Sequence, residues 1–175
     1  GDNTWLLDAT TGEVLRECPT KSVNEVFIPP DGSVVYLGQS NVILRAPLIR
    51  DPSGTWSLGA LETLTKENGT ARMAWSESTQ TLAVSHSHGV SLRQPRTPNA
   101  PVRRLDTAGA VNPLAFSPDG RWVVAGREAG ESNGFIFDPT SPATKPCPET
   151  PHPPQNYYQF SRDSRTLYTA GGPAF

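Results

Sequence analysis

The sequence predicts an all-β protein assembled from repeated four-stranded antiparallel units, and three observations carry that expectation. One hairpin pattern recurs four times, and its aromatic residues, Phe27, Trp75, Phe116 and Phe160, stand 48, 41 and 44 residues apart. The 175-residue chain contains 18 Pro and 15 Gly, a density of breaks that rules out long helices. The stretches between the breaks are short and rich in Val, Leu, Phe, Tyr and Trp, which suit a pleated and well-buried sheet.

Each element follows from local chemistry. In residues 27–38, 75–85, 116–126 and 160–171 an aromatic residue leads into a short polar turn and then an apolar run ending in small residues. Pro30-Asp31-Gly32 and Pro118-Asp119-Gly120 supply a φ fixed near −65°, a carboxylate that caps the turn through its own backbone, and a residue free to take φ > 0. The chain must reverse there, so each segment predicts a hairpin of first and second strands. Third strands follow at 42–45, 90–93 and 135–138, and 101–105 is the clearest fourth strand. Asp31, Asp119 and Asp163 recur at one hairpin position as turn formers rather than as a ring of acids.

These residues carry a resemblance. Residues 116–126 followed by Gly134-Phe135-Ile136-Phe137-Asp138 resemble the first three strands of a WD-repeat β-propeller blade, and residues 5–15 resemble the third and fourth strands of another. The resemblance covers nearly the whole chain and implies a β-propeller of about four blades. It departs from the family where no Gly-His precedes a first strand, and where Asp8 and Asp138 end third strands without the Trp of Trp-Asp. Degenerate blades of this kind depend mainly on apolar burial between sheets. The expected division is 1–21 as third and fourth strands of a split blade, 22–70, 71–107 and 108–155 as full blades, and 156–175 as first and second strands of the split blade. One blade is then shared between the two ends of the chain. Three arrangements follow: a four-bladed ring, two chains closing an eight-bladed homodimeric ring, or a portion of a longer propeller. The Gly-Asp start without Met suits an excised or processed segment.

Composition narrows the function. With 15 Lys+Arg against 17 Asp+Glu the net charge is −2, and no basic block suits a phosphate backbone, so nucleic acid is not an expected partner. No apolar run reaches the roughly 18 residues of a membrane span. Nucleophile elbows, phosphate loops and Cys-x-x-Cys or His-Glu-x-x-His metal motifs are absent, which predicts neither turnover nor a cofactor. Cys18 and Cys147 read as free thiols. The WD-repeat resemblance implies a non-catalytic scaffold for a protein partner, as in modules attached to signalling domains. Contact candidates are Trp56, an aromatic in a polar loop, and Arg127, Glu128 and Glu131 in the loop between second and third strands, which by the same resemblance lies on a ligand-engaging face. The alternative is a propeller-type enzyme or a domain binding a small ligand or metal, through the central channel or through His86 and His88. Residues i and i+2 of a strand share a face, so two imidazoles there would chelate, although two ligands do not fill a tetrahedral site.

Overall fold

A computed structural model describes residues 3–19, 23–69, 72–97, 99–107, 109–127, 134–141 and 157–170. These residues form sixteen strands and no helix. The chain divides into two compact units, Gly1–Ala71 and Arg72–Phe175, so the division falls next to the predicted limit between the first and second full repeats.

In the first unit β1 (Asn3–Leu7) and β2 (Val14–Pro19) form an antiparallel hairpin, as expected of a third and fourth strand. Asp8 fixes its turn by accepting from Thr10 N at 2.7 Å and Thr11 N at 3.0 Å. A blade follows: β3 (Glu25–Phe27), β4 (Val34–Gly38), β5 (Val42–Arg50), β6 (Trp56–Leu58) and β7 (Glu62–Lys66). The strands β3, β4, β5 and β7 pair in that order as an antiparallel four-stranded sheet, and β6 pairs with the far half of β5. Pro47 stands where β5 changes partner; it donates no N–H, and its carbonyl accepts from Gly59 N at 2.8 Å. Val35, Leu37, Ala46 and Leu58 make the core, with Leu6, Val23, Leu44 and Leu48 packed against it. Leu6 is therefore one side chain by which the terminal hairpin packs against the blade.

In the second unit β8 (Met73–Ser76), β9 (Thr81–His86), β10 (Gly89–Arg93) and β11 (Arg103–Asp106) form a complete four-stranded antiparallel sheet. Every residue of β9 is buried, because an inner strand is covered on both faces. β12 (Val111–Phe116), β13 (Val123–Arg127) and β14 (Phe135–Phe137) form the next sheet. Its expected fourth strand falls in residues 142–155, outside the described residues. The hairpin β15 (Tyr157–Phe160) and β16 (Leu167–Ala170) supplies the predicted first and second strands of a further blade. Ala83, Val90, Leu92, Leu105, Val111, Val123, Ala125, Phe135 and Phe137 form one core, so the two larger sheets pack face to face through the alternate residues of their strands.

The turn chemistry is the predicted one. Ser117 Oγ donates to Asp119 Oδ1 at 2.6 Å and accepts from Trp122 N at 2.9 Å, while Arg121 N donates to the same carboxylate oxygen at 3.0 Å. Ser161, Asp163, Arg165 and Thr166 repeat that network at 2.6, 3.1 and 2.9 Å. Ser164 there takes φ 61°, the position at which Gly120 has φ 72°. The hydroxyl of Ser117 holds Asp119 below the ordinary 3.8, and that of Ser161 does the same for Asp163. A lowered folded-state pKa contributes stability that is present above about pH 4 and lost as pH falls through the lowered value. The Asp119→Asn/Asp163→Asn pair is expected to be less stable at neutral pH and to have a shallower acid limb in urea midpoints measured below pH 4. An acid limb identical to that of the unsubstituted chain would show that these turns are not its source.

Candidate functional site

The first unit carries an aromatic cleft built by an extension of its blade. β5 continues beyond Arg45, where pairing with β7 ends, because the segment 51–55 turns the chain back onto it. Asp51 accepts from Ser53 Oγ at 2.5 Å and Thr55 N at 2.9 Å, and its own N–H donates to Thr55 O at 3.0 Å. The Ser53 hydroxyl and the Thr55 amide hold the Asp51 carboxyl below its ordinary value, so it stays ionised as the turn's acceptor. Leu48 faces Leu58 and Arg50 faces Trp56 across the hairpin, which places all four on one side of the ribbon.

Trp56 thus opens β6 and is not in a polar loop, a correction that follows from the Asp51 turn extending the ladder by three pairs. The Arg50 guanidinium lies 5.6 Å from the indole centroid, and Arg50 Nε donates to Gly54 O at 3.3 Å. The indole is held from that side yet remains 38% exposed. It borders a cleft of about 360 Å³ lined also by Leu6, Leu7, Asp8, Gly32 and Leu48. Asp8 is engaged in its own turn, where the Thr11 and Thr10 amides lower its pKa. What the cleft offers a ligand is a slot apolar at Leu6, Leu7, Leu48 and the indole and polar at Asp8 and Thr10, the chemistry that seats an apolar side chain of a protein partner beside a polar rim.

The other predicted residues are not gathered here. Arg127 ends β13 opposite Val111, and its side chain lies outside the described residues together with all of Glu128 and Glu131. His86 ends β9, while His88 lies in the two-residue turn before β10, so they do not share a strand. His86 is buried and its Nδ1 accepts from His88 N at 3.2 Å; His88 Nδ1 lies 2.7 Å from Ser87 Oγ. Both rings thereby hold their own turn, and among the described residues no three His, Cys, Asp or Glu groups converge as metal ligands. Leu6 and Leu7 are cleft residues that the sequence pattern marks only as strand residues, and Leu48 is one that it does not mark at all.

Antiparallel sheets of up to four strands that recur at this spacing, with those of the second unit packed face to face, are the architecture of a β-propeller. Solved structures agree. One chain of a mitotic checkpoint complex is similar over 98% of this chain and 52% of its own, with a TM-score of 0.70 and 19% identity. One chain of a nidogen–laminin complex is similar over 89% of this chain and 54% of its own, with a TM-score of 0.60 and 13% identity. At these identities the likeness concerns the fold, and the present chain spans about half the length of those chains. No family model and no curated protein matches the sequence.

Proposed function

We propose that this chain is a non-catalytic, WD-repeat-like β-propeller segment that serves as a rigid platform for protein–protein contacts, with the Trp56 cleft as one contact surface. The observation that carries this reading is the extension of β5 into a second hairpin, which adds nothing to the four-stranded ladder but sets a half-exposed, Arg50-stacked indole beside an apolar slot. Indole and guanidinium groups are the side chains most enriched among residues that dominate interface energetics. The fold supports the reading only as an architecture that hosts many functions. Further blades, from a longer chain or a second copy, would complete the ring, and a regulatory or sensory segment of a signalling protein is the finer form of the proposal.

Trp56→Ala is the test. The ring is partly exposed and its contact with Arg50 is worth about 0.5–1 kcal/mol, so folding stability should fall by about 1 kcal/mol and the circular dichroism spectrum should stay that of a folded β protein. In affinity capture with quantitative mass spectrometry, a protein retained by the unsubstituted chain should drop by about tenfold or more, the loss expected of an anchor residue. Equal retention by the two chains would remove the cleft from the proposal.

A further inference from the structure

The Trp56 cleft carries a charge as well as apolar walls, and the two together specify its ligand. Among its described lining residues Asp8 alone is charged, and it stands beside Leu6, Leu7, Leu48 and the indole. Leu7 is 52% exposed and lies opposite Val14, 59% exposed, across the β1–β2 hairpin. The apolar surface therefore continues out of the cleft, which suits a side chain carried on a longer peptide segment.

The first turn fixes the charge in position. Thr10 N and Thr11 N both donate to Asp8 Oδ1, while the Asp8 N–H donates to Glu13 O at 2.9 Å and Asp8 O accepts from Gly12 N at 2.8 Å. Amides are neutral, so they hold the carboxylate ionised without cancelling its charge. A carboxylate offers about four acceptor positions, and the two amides take two of them. On the adjoining wall Gly32 belongs to the turn capped by Asp31, and Ser33 O accepts from Leu48 N at 3.0 Å. A second carboxylate-capped turn is thereby set against the apolar strand. Arg50 stands beside the cleft without lining it, its guanidinium lying over the indole and donating to Gly54 O. Asp51, next to it in the chain, carries the balancing charge. The rim that a ligand meets is negative.

We infer that this cleft takes a peptide segment in which an apolar side chain is flanked by a basic one, the apolar group meeting Leu6, Leu48 and the indole and the ammonium or guanidinium meeting Asp8. The inference rests on the reading of the Trp56 cleft as a contact surface and adds the charge of the partner. Charge complementarity selects that occupant: an acidic partner would bring a like charge to Asp8, and a neutral one would gain nothing from it. A rim charge contributes little to affinity in salt and more to the choice of partner and the rate of encounter. The signature is therefore a modest preference that salt removes.

The test is an NMR titration of the ¹⁵N-labelled full chain with acetyl-Lys-Leu-Lys-amide, acetyl-Gln-Leu-Gln-amide and acetyl-Lys-Ala-Lys-amide. At about 0.01 M ionic strength, where the Debye length is about 30 Å, the first is expected to shift the amides of Leu7, Asp8 and Leu48 and the Trp56 indole N–H. It should bind about two- to fivefold more tightly than the Gln peptide, the range for an exposed ion pair. At about 1 M salt, with a Debye length of about 3 Å, the two affinities should become equal. Replacing the central Leu by Ala should cost about tenfold at either salt concentration, through the apolar area no longer buried. Asp8→Asn keeps an oxygen for the two amides and removes only the charge, so the Lys peptide should fall to the affinity of the Gln peptide and the Gln peptide should bind as before. The salt series on the unsubstituted chain stands even if that variant folds poorly. Equal affinity for the Lys and Gln peptides at low salt, with shifts at Leu7 and Trp56, overturns the inference and leaves the cleft as a contact surface. Shifts there that grow with the concentration of the chain alone would make a second copy the occupant and overturn it as well. No shift there with any peptide at about 10 mM, weaker than the millimolar limit of useful recognition, overturns both the inference and the contact-surface reading.

Discussion

Gly89→Ala is expected to destabilise the second unit by about 3–5 kcal/mol, combining backbone strain with an overpacking clash. Gly89 is the first residue of β10, directly after the Ser87-His88 turn, and its φ of 145° is a conformation that residues with a Cβ rarely adopt. A Cβ there would lie 2.0 Å from the carbonyl oxygen of Leu105 and 3.2 Å from Asp106 Cα. The obstructing atoms are backbone, so no rotamer change relieves the contact. Relief requires β11 to move away from β10, which opens the Gly89–Asp106 pairing and pulls on Leu105, a core residue 1% exposed. Urea unfolding followed by circular dichroism should show the midpoint lowered with the slope retained, as for a loss of stability without a change in the surface exposed. His88→Ala is the control: that side chain hydrogen-bonds in the same turn but has no backbone in its path, so its loss is expected within about 1 kcal/mol. Similar losses for both variants would mean that the turn, not the close approach of β10 and β11, sets the cost.

The hairpins were legible in the sequence because their information is local. Ser117, Asp119 and the residue after Gly120 form one hydrogen-bonded turn within six residues, and the same turn survives in the last repeat with Ser164 in place of Gly. The third strands were legible for the same reason, each being an apolar run bounded by turn residues. What a family model reads, by contrast, is the signature Gly-His and Trp-Asp pairs, and this chain lacks both, which fits a recognisable fold with no matching family model. The β5 extension was not legible. Pro47 and the segment from Pro52 to Gly54 are strong breakers, and they read as a loop although Pro47 sits at a change of strand partner and Asp51 rebuilds the ladder beyond it.

The cleft of the first unit was hidden for a different reason. It draws on Leu6, Gly32, Leu48 and Trp56, so it is a product of strand pairing and sheet packing over tens of residues. No spacing rule marks such a set. The histidines show the converse: His86 and His88 form a compact local pattern, yet a two-residue turn intervenes and directs both rings to it.

Phe137→Ala is expected to cost the second unit about 3–5 kcal/mol, the range for removing a fully buried phenyl ring and leaving a cavity. β14 has only three residues, and Phe135 and Phe137 lie on its buried face with ring centroids 5.8 Å apart. Phe137 is 2% exposed and belongs to the core that joins β9, β10 and β11 to β12 and β13, so the cavity would open between two sheets rather than within one. The contact between these two sheets is apolar, and a typical domain has only about 5–15 kcal/mol of net stability. For a unit of this size the thermal midpoint should fall by roughly 15–30 °C. Ile136→Ala, on the opposite face of the same strand and only partly buried, should cost appreciably less. Equal costs for the two substitutions would mean that β14 contributes through its backbone pairing with β13, and that the packing of its two phenyl rings does not hold the sheets together.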